Sequence, residues 1–562
     1  MIENFYRQFI RWGYIIGMLF LIGSLPHSKF GLSVSQFVLA GAFILEGLDL
    51  KKIKDYFASD KNLLLKYILL IPYLVYLTGT NILKKFNRFF RNKPAVIFAS
   101  LFVLHILGLF FTTNFDYAMK DLRTKVPLFI LPLFISTSEA FTKKQFYWIM
   151  LFFIGSLLGR TFINTWYLVF HQYIDIRDIS KPISHIILSL EISFAFFIIG
   201  YLVFRVREIQ TGLKIIISMI FLWFIVFLII SKSLTGIIIT VSTFFLLSII
   251  FIFLSRNFWM KAGLSLLLLI LFGGAILYLF HVDREYHHVN PVDFSHLDQY
   301  TARGNKYSHQ VTSKMTENGN YVYLYIQWEE LREAWNRKSR ISYDSLDNKK
   351  QKIVNTLIRF LTSKGFRKDE DGVNKLTDEE IHAIENGTAN VIFMKKLSIR
   401  GTLYELIGGY EKWRKTGDPT GSSLMQRFEF WKASAGLIRE NWLTGVGTGD
   451  MNVAFQKQYE IMNTRLSPDQ RWRSHNQFLS VFVAFGILGF CWFLVTIIYP
   501  AIKTGGYSDF FFLAFFIIAM FSMLPEDTIE SQAGVTFYAF FYSFLLFGRK
   551  EMDLFKGRTP RS

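Results

Sequence analysis

Two cations, Arg471 and Arg473, and the imidazole of His475 come directly before an apolar run that begins at Phe478 and ends at Pro500. An apolar stretch of that length is typical of a transmembrane helix, so His475 is predicted to lie where the helix meets water. A histidine among cations tends to stay neutral, which suits a general base. The combination favours chemistry on a diphosphate or on a hydroxyl group that must be deprotonated.

A further arginine precedes this segment on an amphipathic helix that the sequence predicts over Leu424–Glu440. Arg427 and Trp431 lie one turn apart on the same face of that helix. The glycine-rich stretch Gly445–Asp450, with the sequence GVGTGD, follows. Glycines are expected after the end of a helix, and they also let backbone amides approach a phosphate closely. Because no strand–turn–helix pattern surrounds this stretch, it is a weak signal for a nucleotide-binding fold.

Two patterns in the polar part of the chain resemble metal sites. Asp369–Asp371 reads DED, a pattern that can hold a metal and a nucleotide sugar, but such matches are common in charged loops. Zinc favours histidines at short helical spacing. The histidines that crowd one region are irregularly spaced, at His281, His287, His288, His296 and His309. We therefore expect no metal and no cofactor.

Apolar residues dominate the composition: 52% of the 562 residues are hydrophobic, and 61 of them are phenylalanine. Such a chain is typical of a polytopic membrane protein. Its net charge of +19 indicates basic loops on the cytoplasmic side, and not nucleic-acid binding. The single cysteine, Cys491, lies in an apolar run, so no disulfide can form within the chain.

The apolar runs predict an all-α membrane protein with about twelve transmembrane helices. Basic residues flank segment 63–79 on both sides, so it is predicted to be interfacial or re-entrant, with a true span as the alternative. The basic residues of the other loops then alternate regularly and place both termini in the cytoplasm. The apolar runs are 9–26, 31–49, 63–79, 94–112, 124–138, 144–170, 183–204, 214–231, 234–255, 258–281, 475–500, 508–524 and 533–548.

The chain divides into three predicted parts. Residues 1–281 form an N-terminal bundle of about nine spans, whose first helix is expected to be retained rather than cleaved as a signal peptide. Residues 282–473 form one large extracytoplasmic loop domain, mixed but mainly helical, and 474–562 form a C-terminal bundle of three spans. In the loop domain, Tyr321–Gln327 alternates like a strand and Thr377–Glu380 predicts a capping box.

Ionisable residues inside a membrane bundle are energetically costly, so each is expected to have a partner or a function. Arg160 and Glu191 are predicted to reach similar depths in neighbouring helices and to form an ion pair. At the outer rim, cations outnumber acids and compose a cup able to receive an anion. The rim residues are Arg123, Lys125, Arg177, Asp178, His185, Lys232, Glu526, Asp527 and Glu530, and Asn476 and Trp431 are supporting candidates next to the motif residues.

Together, these motifs resemble those of the bacterial O-antigen ligase and O-antigen polymerase superfamily. The resemblance covers 420–490, and the large loop before the histidine motif agrees with the form that carries an enlarged loop. The pattern is specific for the superfamily and does not separate ligase from polymerase. It consists of Arg427-Phe-Glu-Phe-Trp431, Gly445-Val-Gly447-Thr-Gly449, and His475-Asn-Gln-Phe-Leu479 followed by Gly486 and Gly489.

The resemblance implies a metal-independent glycosyltransferase that moves a glycan from undecaprenyl diphosphate to a sugar hydroxyl of lipid A–core. The family histidine maps onto His475, the catalytic base, and the family arginine before the tryptophan maps onto Arg427, which binds the diphosphate. A second family arginine lies in an S-R-x-G motif. The corresponding place here reads Ser231–Gly236: either Lys232 substitutes in a shifted register, or Leu234 occupies the arginine position and that phosphate contact is lost. Arg473 is a further candidate for diphosphate binding.

We therefore expect a multi-pass protein of the bacterial inner membrane whose partners are the lipid-linked glycan, the lipid A–core acceptor and membrane lipids. Its large loop is expected in the periplasm. An O-antigen polymerase or a protein-directed oligosaccharyltransferase would keep the same chemistry. A lipid-linked glycan transporter is the alternative of another class, although transporters place their sites near the midplane and the ionisable residues here concentrate at the rim.

Overall fold

The computed structural model describes residues 2–46, 48, 50–58, 63–171, 180, 182–395 and 398–549. Almost all regular structure in these residues is helical. In chain order the α-helices are α1 (Ile2–Ser24), α2 (Lys29–Leu45), α3 (Leu50–Ala58), α4 (Leu63–Arg91), α5 (Lys93–Leu107), α6 (Phe115–Lys125), α7 (Pro127–Thr137), α8 (Lys143–Phe170), α9 (His185–Arg205), α10 (Thr211–Ile230), α11 (Leu234–Leu254), α12 (Phe258–His287), α13 (Trp328–Lys338), α14 (Ile353–Ser363), α15 (Glu370–Asn374), α16 (Asp378–Glu385), α17 (Ile399–Thr416), α18 (Ser423–Glu440), α19 (Met451–Ile461), α20 (Gln477–Thr504), α21 (Phe510–Ser522) and α22 (Gln532–Phe547).

The chain forms two compact units. The first comprises 1–251 and 427–562, and the second comprises 252–426. Residues 427–473, which the sequence analysis assigns to the loop domain, therefore belong to the first unit.

Helix α22 lies at the centre of the first unit. Its residues from Ala533 to Leu546 are all buried, and α22 packs against α7, α9 and α21. Aromatic contacts fill this core; the rings of Phe98 and Tyr542, for example, stack with centroids 4.0 Å apart. Burial of such large rings is the main favourable contribution to packing here.

Eight helices in the described part of the chain are long and apolar enough to cross a membrane: α4, α5, α8, α9, α10, α11, α12 and α20. The prediction of an all-α polytopic membrane protein is confirmed. Shorter apolar helices, among them α2, α21 and α22, add to these. The total of about twelve spans stays a prediction.

Segment 63–79, predicted to be interfacial or re-entrant, is part of the continuous helix α4, which runs on to Arg91 through the basic stretch that motivated the prediction. No turn interrupts 63–79, so a re-entrant hairpin within it is wrong. Residues Lys66–Arg91 are long and apolar enough to cross a membrane. Whether this helix is interfacial or spans the bilayer stays a prediction.

The second unit has its own hydrophobic core, in which Trp335, Leu357 and Phe360 are fully buried. Helix α14 places its apolar face there, and Thr377 and Glu380 form the predicted capping box of α16. The predicted continuous strand over Tyr321–Gln327 is wrong: Asn320–Tyr321 is the second strand of a two-stranded sheet, and further along Ile326 forms isolated bridges to Ser308 and Lys368. The aromatic side chains of this segment pack in irregular turns instead.

The predicted pairing of Arg160 with Glu191 is met only by an interaction of their charges at longer range, since no ion pair joins the two side chains among the described residues. Arg160 Nη2 donates to the carbonyl of Ser180 at 2.8 Å. Within the described residues, both carboxylate oxygens of the fully buried Glu191 lack a hydrogen-bond partner.

Candidate active site

His475 lies at the N-terminus of α20, in a turn that the chain reaches through an extended segment. Asn476 is the N-cap residue of this helix, and its side chain accepts a hydrogen bond from the Leu479 amide at 3.0 Å. His475 itself has a φ of +44°, a left-handed conformation that is unfavourable for a residue with a side chain. Such strained positions concentrate at functional sites, where surrounding contacts hold them.

The loop between α21 and α22, residues 523–531, packs onto this helix N-terminus. The Gln477 amide donates to Met523 O at 2.9 Å, and Gln477 Oε1 accepts from the Ile529 amide at 3.0 Å. Asp527 Oδ1 accepts from the Asn476 amide at 3.1 Å. A carboxylate suits the positive end of the helix dipole. These bonds fix the loop against the turn that carries His475.

Asp527 is half-buried, and its carboxylate holds the start of α20. Its Oδ1 also accepts from the Ser480 hydroxyl at 2.7 Å. Burial raises the pKa of Asp527 above its usual value, and the nearby Arg473 opposes that rise. Asp527 therefore has a structural role at the start of α20, where it accepts from the amide of the N-cap residue Asn476, and its proton affinity is raised by exclusion of water.

Glu526, the preceding residue, joins the two residues on which the sequence motifs centre. Its Oε2 lies 3.1 Å from His475 Nδ1, and its Oε1 lies 2.6 Å from Arg427 Nη2. Arg427 Nε also donates to Pro525 O at 3.1 Å. Burial opposes ionisation of Glu526, but the hydrogen bond from His475 and the charge of Arg427 outweigh it and hold its pKa below the usual value.

This geometry determines the tautomer of the imidazole. An ionised carboxylate only accepts hydrogen bonds, so Nδ1 of His475 is the donor, and in the neutral imidazole Nε2 is then the nitrogen with the lone pair. The ring of Phe430 stacks on the imidazole with centroids 5.5 Å apart. The arrangement is that of a base oriented by a third group, as in nucleophile–base–acid sites.

A second ionic group lies beside the first. Lys125 Nζ, which is fully buried, lies 2.8 Å from Glu530 Oε2, and Arg473 Nη1 lies 3.4 Å from the same oxygen. Burial opposes ionisation of Glu530, yet the charges of Lys125 and Arg473 hold its pKa well below the usual range. Burial alone would lower the pKa of Arg473, but the charge of Glu530 raises it. The carboxylate of Glu530 and the guanidinium of Arg473 therefore favour each other's charged forms.

Both groups border a cavity of about 580 Å³, called here the His475 cavity. One of its cations, Arg471, donates from Nε to Leu466 O at 3.2 Å. Among the described residues no carboxylate lies within ion-pair distance of Arg471, so its charge is available to a ligand. The lining residues are Tyr117, Ser184, Ile186, Ile187, Asn452, Phe455, Gln456, Arg471, Trp472, Arg473, His475, Glu526, Asp527, Thr528, Glu530 and Ser531.

The structure thus brings together several of the residues singled out from the sequence. His475, Arg473, Glu526 and Asp527 border one cavity, and Arg427 lies behind Glu526 without lining it. Asn476 and Trp431 do not line the cavity and take part in capping and packing instead. Asn476 caps α20, and Trp431 packs on α18 with its ring 5.5 Å from that of Phe428.

Three further rim candidates in the described part of the chain, Lys232, His185 and Arg123, do not line the His475 cavity. Lys232 is exposed in the turn between α10 and α11, where its φ is +50°. His185 borders a separate small hollow with Asn164 and Ser231. Arg123 is exposed on α6, and Arg177 lies outside the described residues.

Packing against α20 accounts for the glycines of the stretch Gly445–Asp450. Helix α20 is interrupted at Gly486, which has a φ of +61°. The amides of Val446 and Gly447 donate, each at 2.9 Å, to the carbonyls that this interruption frees, Val483 O and Ala484 O. The amides of Thr448 and Gly449 also donate within the protein. Because these amides are used, the interpretation of the stretch as a phosphate-binding loop is wrong.

Sequence reasoning missed two polar residues of this site, Tyr117 and Gln477. Tyr117 contributes to the cavity wall from α6. Gln477 holds the backbone of the 523–531 loop and donates from Nε2 to Glu530 Oε1 at 3.1 Å. The position of Gln477, directly after Asn476 at the start of an apolar helix, is the one signal that could have drawn attention to it.

The metal-like patterns have other partners. Asp369 caps α15 by accepting from the Gly372 amide at 2.8 Å and accepts from the Tyr307 hydroxyl. Glu370 pairs with Arg303 at 2.9 Å. In the part of the chain that the structure describes, no group of three or more His, Cys, Asp or Glu side chains is placed to hold a metal ion.

Comparison with known proteins identifies a family relationship for part of the chain. Residues 378–494 match the O-antigen ligase family, which confirms the relationship to the O-antigen ligase and polymerase superfamily. The matched range includes Arg427, the glycine-rich stretch and His475, and it ends before the 523–531 loop that carries Glu526. No curated protein matches the sequence significantly.

Proposed function

From this family relationship, we propose that the protein is an O-antigen ligase-type glycosyltransferase. It transfers a glycan from undecaprenyl diphosphate to a sugar hydroxyl of lipid A–core at the outer leaflet of the bacterial inner membrane. The observation that carries the proposal is the His475 imidazole, held by Glu526 at Nδ1 and bordering a cavity with two arginines.

The acceptor hydroxyl is activated by His475. Since Glu526 keeps the proton on Nδ1, Nε2 is the atom that takes the hydroxyl proton as the oxygen attacks the anomeric carbon. The new carbon–oxygen bond forms as the bond from the anomeric carbon to the diphosphate breaks, and the diphosphate leaves with the electron pair. One direct displacement inverts the configuration at that carbon.

The leaving diphosphate is neutralised by guanidinium groups. Arg471 and Arg473 border the cavity, and an arginine fork can bind two phosphate oxygens at once. Fixed charges aimed at a leaving group are usually the largest contribution to such catalysis. Arg427 contributes indirectly: it pairs with Glu526, and Glu526 in turn holds the imidazole of His475. In this proposal Arg471 has the diphosphate-binding role that the sequence-based prediction gives to Lys232.

The proposal needs no metal, because the arginines supply the positive charge that the diphosphate requires. A lipid-linked donor also suits a site that borders apolar helices. The same chemistry would serve a polymerase. A deletion strain separates the two activities: long glycans accumulating on the lipid carrier indicate a ligase, and single repeats indicate a polymerase.

The test is an assay with purified protein, lipid-linked glycan and acceptor lipid, with and without a chelator. His475→Ala is expected to abolish transfer while the melting temperature stays unchanged, and the chelator is expected to have no effect. His296→Ala is a matched control, since that histidine is 83% exposed in the second unit. Transfer by folded His475→Ala at the wild-type rate would refute the proposal.

A further inference from the structure

A second cavity, of about 480 Å³, lies among the N-terminal helices of the first unit and has no part in the proposed reaction. Helices α1 and α4 form much of its wall, with Arg7 and Arg11 from α1 and Arg88 from α4. The remaining lining residues are Tyr6, Ile10, Tyr14, Glu46, Leu48, Asn81, Glu139 and Phe141. It is called here the Arg88 cavity.

The two cavities lie at opposite ends of the helix bundle. Ser531, just before α22, lines the His475 cavity. Gly548, just after α22, accepts a hydrogen bond at 2.7 Å from the amide of Phe141, which lines the Arg88 cavity. Sixteen residues of helix separate these ends, which corresponds to about 24 Å. The Arg88 cavity therefore faces the membrane surface opposite to the proposed active site.

The carboxylates of the Arg88 cavity are already matched by cations. Glu46 pairs with the buried Lys85, which also donates to the Tyr14 hydroxyl at 3.0 Å. Glu139 pairs with Arg11 at 2.7 Å. Among the described residues, no carboxylate lies within ion-pair distance of Arg88. The site thus has an excess of positive charge and polar hydroxyls at its wall.

The faces of α1 and α4 that point away from the cavity are apolar. On α1, Phe9 is 55% exposed, and on α4, Leu83 and Phe90 are 65% and 61% exposed. In a membrane protein such side chains contact lipid, and arginines at the ends of these helices meet the headgroup region. A ligand that reaches the cavity from the bilayer has an acyl chain and a headgroup.

We propose that the Arg88 cavity binds the phosphate of an anionic membrane lipid that reaches it from the surrounding bilayer. The guanidinium of Arg88 pairs with the phosphate, which supplies the anion that this cation lacks. The volume accommodates a glycerophosphate headgroup.

The experiment is a lipid titration of the purified full chain in neutral detergent, followed by native mass spectrometry. Phosphatidylglycerol is expected to bind more tightly than phosphatidylcholine. Arg88→Gln should weaken phosphatidylglycerol binding about tenfold, equivalent to 1.4 kcal/mol. Arg91→Gln is the matched control, because Arg91 ends the same helix without lining the cavity, and it should bind as wild type does.

Three outcomes would overturn the proposal: equal affinity for the two lipids, an unchanged affinity in Arg88→Gln, or an equal loss in both arginine variants. A parallel arm uses inorganic phosphate. Stabilisation by phosphate alone, equal to that by the lipid, would assign the cavity to a soluble anion and refute a lipid site. Melting temperatures without lipid verify that both variants fold.

Discussion

Replacing Glu526 by glutamine removes one charge and preserves the shape of the side chain, so it tests the orientation of the base directly. In the protein, one oxygen of Glu526 accepts from His475 Nδ1 at 3.1 Å and the other from Arg427 Nη2 at 2.6 Å. An amide offers one acceptor and one donor. It cannot satisfy both partners.

Each orientation of the amide has a specific cost. If its oxygen stays with Arg427, its NH₂ group faces His475, and the imidazole must carry its proton on Nε2, where it cannot act as a base. If its oxygen faces His475, two donors oppose each other at Arg427. A lost hydrogen bond to a charged group is worth about 1.5–3 kcal/mol, and 1.36 kcal/mol is tenfold in rate. We expect kcat to fall about 100-fold.

The assay is steady-state transfer of the lipid-linked glycan, with kcat and KM measured separately. Because Glu526 is a positioning residue, KM for both substrates should change little. Glu429→Gln is the matched control: this carboxylate lies on the same helix as Arg427 and pairs with Lys432 at 2.7 Å, so kcat should stay at the wild-type value. A kcat for Glu526→Gln within threefold of wild type would refute the reasoning.

The other predictions concern the ligand cations, the packing of the glycines and the buried ionic group. Arg471→Lys keeps the charge and loses the fork, so the donor KM should rise about tenfold in initial-rate measurements; an unchanged KM would remove Arg471 from the diphosphate site. Gly447→Ala should destabilise the protein by roughly 2–3 kcal/mol, measured by thermal unfolding, because φ is +87° and a Cβ would lie 2.9 Å from Gly108 O. Lys125→Met should cost about 3–5 kcal/mol of folding free energy, since it removes the nearest cation from Glu530 and leaves it the longer contact to Arg473 and the hydrogen bond from Gln477; a melting temperature equal to that of wild type would contradict this. Because the pKa of Glu530 is lowered in the folded state, its contribution to stability is complete above the unfolded pKa of about 4.3 and is lost as the pH falls below it. Unfolding curves between pH 7 and 3 should therefore show a smaller acid loss for Glu530→Gln than for wild type.

Local patterns predicted the helices and their caps well. The apolar face over Ile353–Leu361 forms α14, Thr377 caps α16 with Glu380, and the amphipathic helix with Arg427 is α18. Periodicity and capping are properties of neighbouring residues, so a sequence contains them in full. The strand over Tyr321–Gln327 failed because a strand depends on a partner that the pattern does not specify.

The sequence alone determined the class of protein, the histidine at a helix start and the arginines near it. Apolar length and motif spacing are readable without coordinates. The tertiary structure decided which groups act together. Glu526 reaches His475 across 51 residues and Arg427 across 99, because the 523–531 loop docks on α20. Such long-range pairing depends on how helices pack, and the same packing directs the glycine amides to α20 and leaves Lys232 outside the cavity wall.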